Sequence, residues 1–449
     1  MGALSLEVND AGLLALREGA PRPEAESPGV ALLADDSVVV GPAAVTRARL
    51  RPRAVHDAFW DRLDTEPLAR PFPADASRAD LAYAHLSAVA RALPAPPTEA
   101  FLAVPGFWSK GRLGLLMTLA RAAGLPVAGL VDAAVAASSF AGGTTPLVHV
   151  DLTLHRAVVT ALTGGTEIAR TRVVDAEGLG QRGFEDPLAD AIARRFVEET
   201  RFDPLHSGAS EQALRDALPL WLVELRREGT CPAVLSAGGR EHRVELTRAA
   251  AEAAIDAPSR DLAARIAAME AAPGTRLLAS ARVSRIPGLA DRLRSATGLE
   301  VIELPYDSAV SGTMRHRTHI RHAGDALPFV TRLPAWVTTV SSSSREGRRP
   351  THLLNAGVAH ALGAERLAIG TAPPLGVRGL GLRREGVLAH HCSLVEDAGE
   401  RYVEDHSGGG TRLNGKRVEG RAVVRAGDRL SLGERGAELV LVAIEDDAR

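Results

Sequence analysis

Short apolar runs alternate with helix-period segments up to residue 318, and short strands alone follow residue 350. Residues 99–105 (EAFLAVP) are an apolar run of strand length, bounded by a proline. Ser109 is then placed to cap a helix that carries Leu113, Leu116, Met117 and Ala120 on one face. Gly124 suits the position that ends it. LVHVDL (147–152) and AVVTAL (157–162) predict two strands joined by a tight turn. Pro187 is expected to open a helix with Leu188, Ile192, Phe196 and Val197 on one face. RLLAS (276–280) predicts a strand, and 288–296 a helix after Pro287. Strands mixed with helices at this spacing imply an α/β domain over 1–318.

The pattern changes over 319–349, and SSSSREGRRP (341–350) is polar with no apolar period, as in a linker. After it come HLLNAGVAHAL, ERLAIG, HCSLVED, RYVEDH, RAVVRAG, RLSLG and AELVLVAI. These short runs, separated by turn residues and without a helical period, predict a β-sandwich over 350–446. Neither part shows a repeat of fixed period.

Composition narrows the function classes. The 449 residues carry 53 basic and 55 acidic side chains, a net charge of −2, which argues against a general polyanion binder. No nucleic-acid partner is expected. Lys110 and Lys416 are the only lysines, so a P-loop is absent and lysine chemistry has two candidates at most. Arginine in place of lysine is associated with GC-rich bacterial genomes. Cys231 and Cys392 cannot build a disulfide framework, which points to a reducing compartment. The N-terminus does not read as a signal peptide. The apolar stretch 113–140 is broken by Arg121 and Asp132, so no membrane span is expected. The expected location is the cytoplasm.

VPGFWSKGRLGLLMTLARAAGLPVAGLVDAAVAASSFAG (104–142) resembles the core of the ATPase domain of the seventy-kilodalton heat-shock chaperones. Asp10-Ala11-Gly12 stands where that family has D-L-G on its first phosphate hairpin, and VHVDLTLHRAVVTAL (148–162) where it has F-D-L-G-G-G-T on the second. LLASARVSRIPGLADRL (277–293) is similar to V-G-G-S-T-R-I-P, and YDSAVSGTM (306–314) to D-E-A-V-A-x-G-A. The resemblance implies a two-lobed, actin-like α/β fold with nucleotide in the cleft. It makes Asp10, Gly12 and Asp151 the residual nucleotide-binding positions. The family's other cleft residues are replaced: by Leu13 and Leu14 in the first hairpin, and by Thr153, Leu154 and His155 in the second. Ala133 stands at the water-positioning carboxylate, and Ala281-Arg282 at the Gly-Gly pair under the adenosine. Asp132, beside Ala133, reads as a solvated helix-start carboxylate. Asp10 and Asp151 read as turn or N–H-capping residues. The expectation is a pseudo-ATPase with no cofactor, the alternative being ATP or ADP with Mg²⁺.

LAIG (367–370), HHCSL (390–394), DHSGGGTRLNG (405–415) and RAGDRLSLG (425–433) together resemble a forkhead-associated (FHA) domain. The resemblance implies a β-sandwich that reads phosphothreonine peptides from loops at one end. His391 matches a histidine that braces those loops, and Asn414-Gly415 and Gly427-Asp428 match its turns. The phosphate readers are replaced by Thr371 and Leu388, and the S-x-N pair by Ser407–Gly409. If phosphopeptide recognition persists, Arg378, Arg383 and Arg384, with Ser407 and Thr411, are the candidate residues.

His316, His319 and His322, interleaved with Arg315, Arg317 and Arg321, read as a basic surface segment and not as a zinc site. Neighbouring His390 and His391 point to opposite faces of a strand and do not chelate together. Arg345, Arg348 and Arg349 read as a solvated linker. The sequence therefore predicts a non-catalytic scaffold or adaptor with a protein partner. Two alternatives remain open, a nucleotide-sensing or active ATPase and a phosphothreonine-dependent adaptor.

Overall fold

The structure, a computed structural model, describes residues 2–443 apart from 21, 36, 142–144, 323, 325–327, 336–348, 356–357, 364, 375–377, 383, 385, 398, 409 and 434–436. The chain divides into two units, the first Met1–Ser139 and Thr144–Ala335, the second Phe140–Gly143 and Trp336–Arg449.

Two six-stranded sheets organise the first unit. One runs, in spatial order, Phe329–Val330, Val127–Asp132, Glu99–Val104, Ala3–Asn9, Gly12–Arg17, Ala25–Pro28. The other runs Glu300–Glu303, Arg276–Ala279, Leu147–Leu152, Arg156–Leu162, Glu167–Glu177, Arg332–Pro334. Each has an antiparallel hairpin whose first strand pairs in parallel with a later one: Ala3–Asn9 with Glu99–Val104, and Leu147–Leu152 with Arg276–Ala279. Five strands of each sheet share one connectivity, and the sixth, Phe329–Val330 in one and Arg332–Pro334 in the other, is added at opposite edges. A topological repeat therefore exists without a period in the sequence, because pairing order depends on which runs are apolar and not on residue identity.

The apolar runs become strands because they are buried on both faces; all seven residues of Ala3–Asn9 and all six of Leu147–Leu152 are buried. Helices Arg78–Ala92 and Lys110–Ala122 cover the first sheet, with Leu81, Leu86, Leu113 and Leu116 in one core with Leu4, Leu6 and Leu102. Helices Gln181–Thr200, Gly208–Glu228, Asp256–Ala267 and Leu289–Thr297 share a core with Val148, Val150 and Leu277. The Ser109 hydroxyl accepts from the Arg112 N–H and caps Lys110–Ala122.

Two boundaries differ from expectation. The helix expected to open at Pro187 spans Gln181–Thr200 with the proline inside it. The Gln181 and Arg182 amides donate to the carbonyls of Thr153 and Leu154, so the preceding hairpin supplies the first-turn acceptors and the helix starts there. The segment after 318, expected as linker, still belongs to the first unit up to Ala335. Phe329–Val330 joins one sheet and Arg332–Pro334 the other. Most of the Ser/Arg stretch that follows, with Arg345 and Arg348, lies outside the described residues. Arg349 pairs with Glu396.

The second unit is all-β among the described residues, with sheets of six and five strands between His352 and Val442. Leu353, Leu430 and Leu439 from one sheet and Ile369, Leu394 and Val403 from the other form a single core, as in a sandwich. Among the described residues no helix is long and apolar enough to cross a membrane.

Candidate functional sites

A cavity of about 500 Å³ lies between the two sheets of the first unit, lined by Glu7, Gly12, Leu13 and Leu14 on one side and His149, Asp151 and Leu154 on the other. Of the sequence candidates Gly12 and Asp151 line it, Asp10 reaches its wall only by bonding the backbone of Leu154, and the chain itself engages both carboxylates.

Asp10, in the turn after Ala3–Asn9, accepts the backbone N–H groups of Leu154 and His155, each at 2.9 Å. These amides belong to the second hairpin turn, so one hairpin's carboxylate fills the other's donor nest. Burial raises the Asp10 pKa against the lowering effect of those bonds. Gly12 is required by its neighbour strand: its φ is +147°, and a Cβ there would stand 2.2 Å from the Ser27 carbonyl.

Asp151 is held by Arg282 through two bonds, Nε to Oδ1 at 2.9 Å and Nη2 to Oδ2 at 2.7 Å. The same guanidinium bonds to Glu7 on the other sheet. Burial tends to raise the Asp151 pKa, but the guanidinium outweighs it and holds the carboxyl far below the usual range. Arg282 follows Ser280, whose hydroxyl caps the short helix Ala281–Ser284 and so turns residue 282 toward Asp151. From the sequence Arg282 is only a replacement in the family's Gly-Gly pair, and this bridge is not apparent. No local signal pointed to it, because Asp151 and Glu7 lie 131 and 275 positions away along the chain.

Asp132 is a helix-start residue, as expected, but it is not solvated. It is fully buried, its Oδ1 accepts from Ala134 N at 2.9 Å, and its Oδ2 pairs with Arg170 at 2.7 Å. Arg170 also donates to the Gly106 carbonyl, so this contact again joins the two sheets. Ala133 begins helix Ala133–Ser138 and lines the cavity with a methyl group. Further contacts tie the halves together: Arg156 with Asp61 at 2.5 Å, Arg182 with Asp57 at 3.2 Å, and Arg49 with Glu211 at 3.2 Å. Gln212 accepts from Arg49 N at 2.8 Å and donates to the Val45 carbonyl at 3.0 Å.

The segment expected as a basic surface is exposed at Arg315, His319, Arg321 and His322, and departs from that expectation at His316. It follows helix Ser308–Arg315, and His316 is buried, with its pKa pushed down to about 4. His319 packs edge-on against it. Among the described residues no group of three or more His, Cys, Asp or Glu side chains is arranged to hold a metal.

In the second unit, the loops at one end of the sandwich are braced from within. Asp405 Oδ1 accepts from Ser407 N at 3.1 Å, Ser407 Oγ at 2.5 Å and Thr411 Oγ1 at 2.6 Å. Ser407 Oγ in turn accepts from Gly410 N at 2.7 Å. Ser407 and Thr411 thus serve the loop, and Thr411 is fully buried. His391 Nδ1 accepts from Leu388 N at 3.1 Å, which fixes the adjoining loop. Asn414 and Gly415 have φ of 51° and 80° and close the hairpin Leu413–Lys416. The Asn414 amide donates to Asp428 at 2.7 Å and accepts from Arg429 N at 2.8 Å, so the two glycine turns are bonded to each other.

The two described candidate arginines, Arg378 and Arg384, do not converge. Arg378 opens the strand Arg378–Gly381 opposite Leu367, three residues from the Gly370 end that meets the loops, about 10 Å along the sheet. Arg384 is exposed beyond Leu382, whose N–H bonds Gly370, and so lies toward the loop end. Arg383 and Gly409 lie outside the described residues. One arginine was missed: Arg417 donates from Nη2 to the Gly408 carbonyl at 2.7 Å, beside the position of the absent peptide-gripping Asn.

An FHA-domain family model matches residues 380–433, within the second unit. No curated relative matches the chain.

Proposed function

We propose that the protein is a non-catalytic adaptor whose FHA domain engages a protein partner and whose first unit is an actin-like, chaperone-type scaffold that works without nucleotide. One observation carries this reading. The groups that would hold phosphate and Mg²⁺ are spent on the chain itself, Asp10 on the Leu154 and His155 amides and Asp151 on Arg282. Mg²⁺ needs oxygen ligands at roughly 2.0–2.1 Å in near-octahedral array. A carboxylate already bidentate with a guanidinium does not fit that demand. The shared connectivity of the two sheets supports the two-lobed assignment.

The FHA domain supports the adaptor role, since FHA domains bind phosphopeptide partners. Here Thr371 and Leu388 stand at reader positions and Ser407 is engaged with Asp405, so the contact is expected to be independent of phosphate. The second reading, a phosphothreonine-dependent adaptor, is favoured by Arg417 at the Gly408 carbonyl. A phosphothreonine peptide library screened against the full chain separates them. The first reading predicts equal capture of phosphorylated and unphosphorylated peptides. Selective capture that is lost in Arg384→Ala or Arg417→Ala establishes the second.

A further inference from the structure

Strands Thr230–Ala237 and Arg240–Thr247 form a hairpin sheet of their own, and among the described residues no further strand pairs with either outer edge. One face lies in the core, through Cys231, Ala233, Leu235, Val244 and Leu246. The Arg248 N–H donates to the Gly229 carbonyl at 2.8 Å, directly across the hairpin, which sets the phase of the ladder. Antiparallel pairs alternate between bonded and unbonded, so His242, Val244 and Leu246 exchange bonds with the first strand. Glu241, Arg243 and Glu245 therefore turn their N–H and C=O groups outward, and among the described residues these groups have no other partner. The outward positions of the first strand include Pro232, which has no N–H and blunts that edge. The second strand has neither a proline nor a bulge.

A groove of about 400 Å³ opens along this second edge. Leu188, Ile192, Leu225 and Leu246 form its floor, and Glu245 and Thr247 place the strand itself in its wall. Side chains alternate along a strand, so a strand added at the edge would turn every second residue toward the groove. Its remaining residues would lie opposite Glu241, Arg243 and Glu245, on the solvent side. These three side chains are exposed and alternate in charge. Among the described residues none of them is in an ion pair, whereas the neighbouring Arg248 pairs with Glu252. Opposite charges directly across a sheet stabilise it and like charges destabilise it. The segment that fits therefore carries a cation, an anion and a cation on its solvent side, with apolar residues between them. A second copy of this strand fits poorly. Centred on Arg243, it sets arginine against arginine and Glu241 against Glu245, and its Val244 and Leu246 are already in its own core.

We propose that the open edge of Arg240–Thr247 takes up an extended segment of a partner protein as a third strand, its apolar residues in the groove and its alternating charges against Glu241, Arg243 and Glu245. Main-chain bonds to the edge supply affinity, and the groove and the charge pattern supply specificity. This goes beyond the FHA contact and does not depend on it.

The test uses the purified full chain and a fluorescein-labelled Val-Lys-Val-Glu-Val-Lys-Val peptide, with binding read by anisotropy. The proposal expects saturable binding. Two analogues should bind at least about tenfold more weakly: the charge-reversed Val-Glu-Val-Lys-Val-Glu-Val, and the first peptide N-methylated at its lysine and glutamate amides. Arg243→Glu should reverse the preference at the central position, favouring Val-Lys-Val-Lys-Val-Lys-Val. Ala250→Trp, at an exposed position that lines the groove, should weaken the first peptide about tenfold. The peptide comparison needs no variant and stands if a variant fails to fold. No binding of the first peptide, or equal binding of all three, overturns the proposal. A dimer of the full chain that Arg243→Pro separates gives the edge to a second copy and also overturns it, since a proline there removes only an outward N–H.

Discussion

Replacing Arg282 with alanine tests whether the cleft is held together by its own charges. The substitution leaves two acidic side chains, Glu7 at 3% and Asp151 at 12% exposure, without their shared cation. Removing one partner of a buried ion pair costs about 3–5 kcal/mol. The first unit has about 330 residues, and at roughly 2.1 cal/mol/K per residue of unfolding entropy that loss lowers its melting temperature by roughly 4–7 °C. The sign of the pH effect follows from Asp151. Its folded pKa lies below the unfolded value of 3.8, so the stability it contributes is present above that value and is lost as pH falls below it. Without Arg282, burial dominates and raises the Asp151 pKa, and the variant relieves its penalty by taking up a proton in mild acid. The gap in melting temperature between wild type and Arg282→Ala should therefore narrow between pH 7 and pH 4. Adding Glu7→Gln to the variant should recover part of the loss. Calorimetry from pH 4 to 8 reads all three effects. A gap under about 1 °C, or one that does not change with pH, refutes the lock.

Asp405→Ala removes the acceptor for three donors and leaves the buried Thr411 hydroxyl unpaired. At about 1–3 kcal/mol for such a loss, the second unit's melting transition should fall by roughly 4–12 °C, as followed by circular dichroism. Cys231 and Cys392 are fully buried, with thiol pKa values pushed up to about 12 by burial, so Ellman's reagent should react slowly with the native chain and rapidly with both thiols after denaturation.

Much of this was legible in the sequence because it rests on local signals. The runs at 147–152 and 276–279 are strands because apolar residues buried on both faces leave the backbone few other choices. Ser109 caps its helix, and Asn414-Gly415 turns its hairpin, for reasons contained within four residues. What escaped was non-local. Helix Gln181–Thr200 starts before its proline because two carbonyls of an earlier hairpin receive its first amides. The strands at 329–334 are too short to carry a period and exist because two sheets have open edges for them. Arg282 looked like a replaced glycine, and nothing in the sequence singled out Arg170. Their roles depend on Asp151, Glu7 and Asp132, which lie between 38 and 275 positions away. Arg417 was passed over because its target, the Gly408 carbonyl, has no side-chain signature.

The most direct test of the central claim is a calorimetric titration of the full chain with ATP and Mg²⁺, repeated on Arg282→Ala. A chain whose cleft carboxylates are spent on its own amides and guanidinium should give no saturable heat with the wild type at millimolar nucleotide. Saturable, Mg²⁺-dependent binding by the wild type, lost in Asp10→Ala or Asp151→Ala, would show that the cleft still serves nucleotide and would contradict the account.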